Sequence, residues 1–108
     1  MRQAAHYRDF WPLYLAEHSQ PATRALHYLG TALGLALLVA AAALDDWHLV
    51  PAAFVAGYAF AWIGHAFVER NRPATFTHPL WSLVSDFRMF GLWLAGRLGA
   101  ELKRHGVD

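Results

Sequence analysis

Histidine is unusually frequent in this chain, with seven imidazoles among 108 residues. The chain has no cysteine, so a bound metal would take its ligands from imidazole and oxygen groups. Four histidines lie near the ends of two long apolar segments. His27 and His65 lie within the segments, and His18 and His78 lie just outside them. Imidazole with carboxylate suits iron, zinc, copper or nickel, and iron is favoured if oxygen chemistry is involved. These residue types therefore predict a metal site if the fold brings them together.

Two apolar segments decide where the histidines can meet. Ala25–Leu44 and Leu49–Val68 carry no Asp, Glu, Lys or Arg. About 20 helical residues at ~1.5 Å each cross a ~30 Å hydrocarbon core, so each segment is long enough to span a bilayer. Only residues 45–48 separate them, and so short a connection predicts an antiparallel hairpin.

The hairpin sorts the histidines by position. His27 near the start of the first segment and His65 near the end of the second fall at the same end, which His18 and His78 flank on either side. His48 lies in the connection at the opposite end, about 30 Å away. His6 and His105 are also poor candidates. The spacing predicts a metal site made by His18, His27, His65 and His78.

Carboxylates accompany these histidines. Glu69 follows His65 by four residues, which places both on one face of an α-helix. Glu17 adjoins His18 in the sequence. Asp86 lies about two turns into the last predicted helix, where a carboxylate could orient a metal-bound imidazole.

Three arginines gather at the histidine end: Arg24, Arg70 and Arg72. They could contact lipid phosphates or clamp a substrate carboxylate, since guanidinium pairs with carboxylates in a planar fork. Lipid contact is favoured for Arg70, whereas the two roles are evenly balanced for Arg72, in the rigid turn Asn71-Arg72-Pro73. Arginines at this end and aspartates at the hairpin tip predict that the histidine end faces the cytoplasm.

The flanks complete an all-α prediction: a small integral-membrane helical bundle, with residues 1–108 as one domain. Arg8–His18 has the pattern of an amphipathic helix that Pro21 ends. Leu80–Leu102 reads as a last helix, interrupted by charges and therefore a weaker span. A soluble bundle with a buried hairpin is the alternative, but so small a chain has little surface to hide two apolar helices. A homo-oligomer stays open. If the chain is bacterial, the inner membrane is its expected location.

Several function classes are excluded or left open by these patterns. The net charge of +1 predicts no nucleic-acid partner, because no basic face dominates. The sequence holds no HExxH motif, P-loop, dinucleotide fingerprint or Ser-His-Asp elbow. A zinc-dependent membrane hydrolase with Glu69 or Glu17 as base remains open. So does a non-catalytic membrane protein whose histidines bind headgroups or a partner.

Two motif blocks carry a family resemblance: YLAEHSQPATRALHYLGT from Tyr14 to Thr31 and GHAFVERNRPATFTHPLWSLVSDFRM from Gly64 to Met89. In order and spacing they resemble the small membrane-protein family typified by the yeast 2-hydroxy fatty acid dioxygenase. The resemblance implies an iron(II)-dependent enzyme of α-oxidation that uses O₂ to shorten a 2-hydroxy fatty acid by one carbon, without 2-oxoglutarate. By position, the family's histidines match His18, His27, His65 and His78, and its polar motif positions match Glu17, Glu69, Arg24, Asn71 and Arg72.

Overall fold

The computed structural model describes residues 4–107, and within them the regular secondary structure is all helical, with no strand. The α-helices are α1 Tyr7–Ala16, α2 Pro21–Leu44, α3 Leu49–Ile63, α4 Pro79–Leu94 and α5 Leu98–Arg104. A π-helical segment, Gly64–Glu69, continues α3, and a 3₁₀ turn, Ala74–Phe76, precedes α4. The all-α prediction is confirmed.

Helices α2 and α3 form the predicted hairpin. Asp45 adopts a left-handed conformation at φ 50°, and the backbone N–H of Asp46 donates to the Ala41 carbonyl at 3.0 Å. By length and composition, α2 and α3 with its π-helical continuation could each cross a membrane. Large apolar side chains such as Val39 and Val55 are 68% exposed on their outer faces, a pattern that a water-facing bundle would hide.

The close approach of α2 and α3 depends on Gly30. A Cβ at this position would lie 3.0 Å from the Gly57 carbonyl oxygen and 3.0 Å from the Phe60 Cβ. We expect Gly30→Ala to destabilise the protein by about 1–3 kcal/mol, because backbone must move to admit the methyl group. Thermal unfolding in detergent measures this loss. Gly91→Ala is the control: no described atom lies within 4 Å of its Cβ, and alanine favours a helix interior. Equal losses from both changes would contradict this account of the hairpin.

Helices α1, α4 and α5 pack into a second layer, called the cap here, at the histidine end of the hairpin. One face of α1 is buried, which confirms that this helix is amphipathic. The core of the cap contains Phe10, Trp11, Tyr14, Leu15, Ala74, Met89, Leu98, Leu102 and Val107. The Trp11 indole N–H donates to Glu101 Oε1 at 2.9 Å, and the Tyr7 and Ser85 hydroxyls bond at 2.8 Å. These contacts fix α1 against α4 and α5.

Two predicted boundaries are wrong at the N-terminal side. Helix α1 ends at Ala16, not at His18, and Pro21 does not end it but begins α2. Proline suits the first turn of a helix because its missing N–H would have no helical partner there. Gln20 is extended at ψ 131°, as the residue before a proline prefers. His18 therefore lies in a tight turn between two helices.

The single last helix predicted over Leu80–Leu102 is also wrong. The chain turns after Leu94, with Gly96 at φ 72°, and α5 folds back so that Leu98 and Leu102 enter the cap core. A left-handed residue cannot continue an α-helix, and glycine adopts it without steric cost. Helix α4 has 16 residues, slightly short of what a span needs.

Candidate metal centre

The fold brings three of the predicted histidines together. His18 lies in the turn after α1, His27 in the second turn of α2, and His65 in the π-helical segment. The Nε2 atom of His18 is 3.0 Å from the Nε2 atom of His27 and 3.0 Å from that of His65. All three side chains are buried, and their candidate ligand atoms lie within 4.8 Å of one another. One metal ion with bonds of about 2.1 Å could contact them all.

Hydrogen bonds at the other ring nitrogens fix the tautomers. Nδ1 of His18 faces the Tyr14 carbonyl at 2.6 Å, and Nδ1 of His27 faces the Thr23 carbonyl at 3.1 Å. A carbonyl oxygen only accepts, so each Nδ1 carries the hydrogen and each Nε2 presents a lone pair. Lone pairs that face each other at 3.0 Å repel unless a cation or a proton lies between them. Three buried histidines in this arrangement could bind a metal ion.

Asn71 fixes the third imidazole. Its side-chain Nδ2 donates to the Glu17 carbonyl at 3.2 Å, which turns its Oδ1 toward His65. That oxygen lies 2.6 Å from Nδ1 of His65, so His65 also presents Nε2 to the cluster. Burial, with His27 and His65 nearby, holds the pKa of His18 well below its usual value. A neutral imidazole is the form that binds metal.

The π-helical segment determines where His65 and Glu69 lie. Its i→i+5 pattern replaces the α-helical spacing from which the sequence placed both side chains on one face. Glu69 accepts hydrogen bonds from the Ser19 hydroxyl at 3.0 Å and the Gln20 N–H at 2.5 Å. Its carboxylate thus holds the turn that carries His18. Single π-helical turns are frequent at functional sites.

Other predicted site residues lie around the cluster rather than in it. The Arg24 guanidinium donates to the carbonyls of His18 at 2.7 Å and Ser19 at 3.0 Å. Glu17 is half-buried, burial raises the pKa of its carboxyl, and its backbone carbonyl receives Asn71. Arg72 is exposed on the loop that follows the π-helical segment.

His78 does not join the other three histidines. Its Nε2 accepts a hydrogen bond from the Ala4 N–H at 3.3 Å, and its Nδ1 lies 3.0 Å from the Thr77 hydroxyl. Its ring stacks on Trp81 with centroids 5.3 Å apart and also contacts Phe10. The N-terminus of α4 packs against α1, and this packing holds His78 in the cap.

Asp86 lies beside the cluster, and Tyr14 links the two. The Asp86 Oδ1 atom is 3.8 Å from Nε2 of His27, and it accepts a 2.5 Å hydrogen bond from the Tyr14 hydroxyl. Burial raises the pKa of Asp86 to about 7. Tyr14 also stacks on His18, with centroids 4.1 Å apart. The sequence pattern assigned Tyr14 no role in the site, and the signal that could have found it is its position four residues before His18.

Comparison with known proteins gives one family match. The family model described as "2-hydroxy-palmitic acid dioxygenase Mpo1-like" matches residues 4–98, a stretch that includes the three-histidine cluster, Asn71 and Asp86. No curated protein and no solved structure gives a significant match.

Proposed function

The chain belongs to the Mpo1-like family, and from this premise we propose that it is a membrane-embedded, iron(II)-dependent dioxygenase of 2-hydroxy fatty acids. The observation that carries the proposal is the convergence of three buried Nε2 lone pairs from His18, His27 and His65. Three neutral imidazoles could together hold one iron(II) ion, which would supply a site for the substrate and O₂. The family description supports the substrate class, and the imidazole ligands fit iron.

The overall reaction balances without a second reductant. The C1–C2 bond of the 2-hydroxy acid breaks, C1 leaves as CO₂, and C2 becomes the carboxylate of an acid one carbon shorter. O₂ is the four-electron oxidant, so that one 2-hydroxy acid and one O₂ give the shorter acid, CO₂ and one water. Iron(II), when bound, supplies a redox centre for O₂ and a Lewis acid for the 2-hydroxy-carboxylate group.

The chain's own side chains position and desolvate this site. Asn71 orients His65, Glu69 and Arg24 hold the turn that carries His18, and Glu17 anchors Asn71 through its carbonyl. Arg24 is already committed to two carbonyl oxygens, so it is not proposed as a clamp on the substrate carboxylate. Asp86, next to His27 and held by Tyr14, is the proposed proton acceptor for the substrate hydroxyl.

The hairpin supports a location in a bilayer. Its two helices are long and apolar enough to cross, and the histidines lie where they meet the cap. An acyl chain could then stay in hydrocarbon while its polar end reaches the cluster. We propose that this end faces the cytoplasm, because Arg24, Arg70 and Arg72 lie there.

Metal content and oxygen uptake test the proposed function. Protein purified without oxygen and supplied with iron(II) should consume O₂ on addition of 2-hydroxypalmitic acid and release the acid one carbon shorter. Palmitic acid, which lacks only the 2-hydroxyl, is the matched control and should cause no uptake. Tightly bound zinc together with no uptake would contradict the proposal and favour the hydrolase alternative.

A further inference from the structure

An apolar groove begins at the histidine cluster and follows the seam between α2 and α3. One row of side chains on α2 and one row on α3 line the groove. Residues of α4 line the end nearest the histidines. The lining residues are His27, Gly30, Thr31, Gly34, Leu35, Leu38, Ala53, Phe54, Gly57, Tyr58, Ala61, Leu83, Asp86 and Phe87. The groove therefore connects the candidate metal centre with the outer surface of the hairpin.

Small residues form the floor of the groove, where the two helix backbones meet. Gly30 and Gly34 lie one turn apart on α2, and a Cβ at either would come within 3.2 Å of a backbone carbonyl oxygen of α3. Gly57 and Ala53 face them from α3. Because these positions carry no bulky side chain, the floor of the groove is helix backbone, and its walls are the larger side chains on either side.

The lining changes in polarity along the groove. His27 and Asp86 lie at one end, with the hydroxyl-bearing Thr31 one turn further along α2. At the other end, Leu38 lies eleven residues after His27, or about 16 Å along the helix, and Leu35 and Phe54 add further apolar lining. Among the described lining residues there is no lysine or arginine. The polarity fits a ligand with one polar head and a long apolar tail.

Resting on the proposed function, we propose that this groove holds the acyl chain of the 2-hydroxy acid, with the head at His27, and that Leu38 sets the chain-length limit. Each methylene of a substrate tail that extends to Leu38 contacts the apolar lining of the groove, whereas a shorter tail leaves the far end of the groove unfilled. Discrimination of about tenfold per methylene or more is typical of such pockets. Leu38 is thus a specificity-determining residue.

A tryptophan at position 38 tests the groove. We expect Leu38→Trp to weaken binding of 2-hydroxypalmitic acid about tenfold, and to leave a short-chain 2-hydroxy acid unaffected, because the indole fills only the far end. Leu35→Trp, one turn nearer the histidines, should extend the loss to acids of intermediate length. Val39→Trp is the matched control, since Val39 is 68% exposed and does not line the groove. Binding is measured anaerobically on iron-loaded protein in lipid nanodiscs.

The possible outcomes distinguish failure of the groove proposal from failure of the proposed function. An equal loss for all chain lengths, or none, would overturn the groove proposal. So would a Leu38→Trp protein that loses co-purified phospholipid but binds the hydroxy acids normally, because the groove would then be a lipid site. Wild-type protein that binds the acids with the expected chain-length dependence but consumes no O₂ would overturn the proposed function and leave the groove standing.

Discussion

His27→Ala protein is expected to purify without stoichiometric metal. The change removes one of three converging Nε2 ligands. The Nε2 atoms of His18 and His65 remain 3.0 Å apart, without a third imidazole ligand. Loss of one of three protein ligands should reduce iron or zinc retention at least about 100-fold, more than loss of a group that only orients a ligand. Elemental analysis after anaerobic purification measures it. Oxygen uptake with 2-hydroxypalmitic acid should disappear at the same time.

Two other histidines provide matched controls for this loss. His48 lies at the opposite end of the hairpin with an exposed side chain, so His48→Ala should retain metal fully. His78→Ala should also retain it, because His78 bonds within the cap instead of joining the cluster. Loss of metal from the His78 variant would contradict the three-histidine site, and loss from the His48 variant would contradict the hairpin argument itself.

Asn71→Leu is expected to lower metal affinity about 10- to 100-fold without unfolding the protein. Asn71 accepts from Nδ1 of His65 and is itself held by the Glu17 carbonyl, so its loss frees the imidazole to rotate and to change tautomer. Titration of the metal-free protein with cobalt(II), followed by its absorption spectrum, measures both affinity and ligand geometry.

Conservative and neighbouring variants separate orientation from general stability. Asn71→Asp keeps an oxygen that faces His65 but loses the donor to the Glu17 carbonyl, and should recover part of the affinity and the cobalt spectrum. Arg72→Leu changes the adjacent exposed side chain and should leave both unchanged. If Asn71→Leu and Arg72→Leu shift the affinity equally, Asn71 has no positioning role.

The sequence predicted the large features because they depend on length and polarity alone. Two apolar segments with a four-residue connection can hardly avoid an antiparallel hairpin, and this placed His27 and His65 at one end. The amphipathic pattern of α1 likewise predicted a packed helix. Interruptions within a helix were harder to predict from the sequence. The left-handed Gly96 divides the last helix, yet Gly91 in the same helix does not interrupt it. Only the packing of α5 on α1 distinguishes them.

The roles of polar residues depended on tertiary contacts that spacing does not reveal. From the sequence, His78 resembled His18, the other histidine that flanks the hairpin. In the structure it accepts from the Ala4 N–H, just before α1, and contacts the ring of Phe10 in α1. Glu69 looked like a partner of His65 on an α-helix, but the chain is π-helical there and its carboxylate reaches Ser19 and Gln20. Both roles are set by groups far away in the sequence that the packing of the chain places within hydrogen-bond distance.

By itself, the sequence determined the helical class, the hairpin, the end at which the histidines gather and the residue types able to bind metal. These follow from hydrophobic length and from donor chemistry, which are properties of the chain alone. The tertiary structure decided that three histidines meet, that Asn71 and two backbone carbonyls set their tautomers, and that a groove leads away from His27. Such features need distances of about 3 Å between residues far apart in sequence, and only packing fixes those.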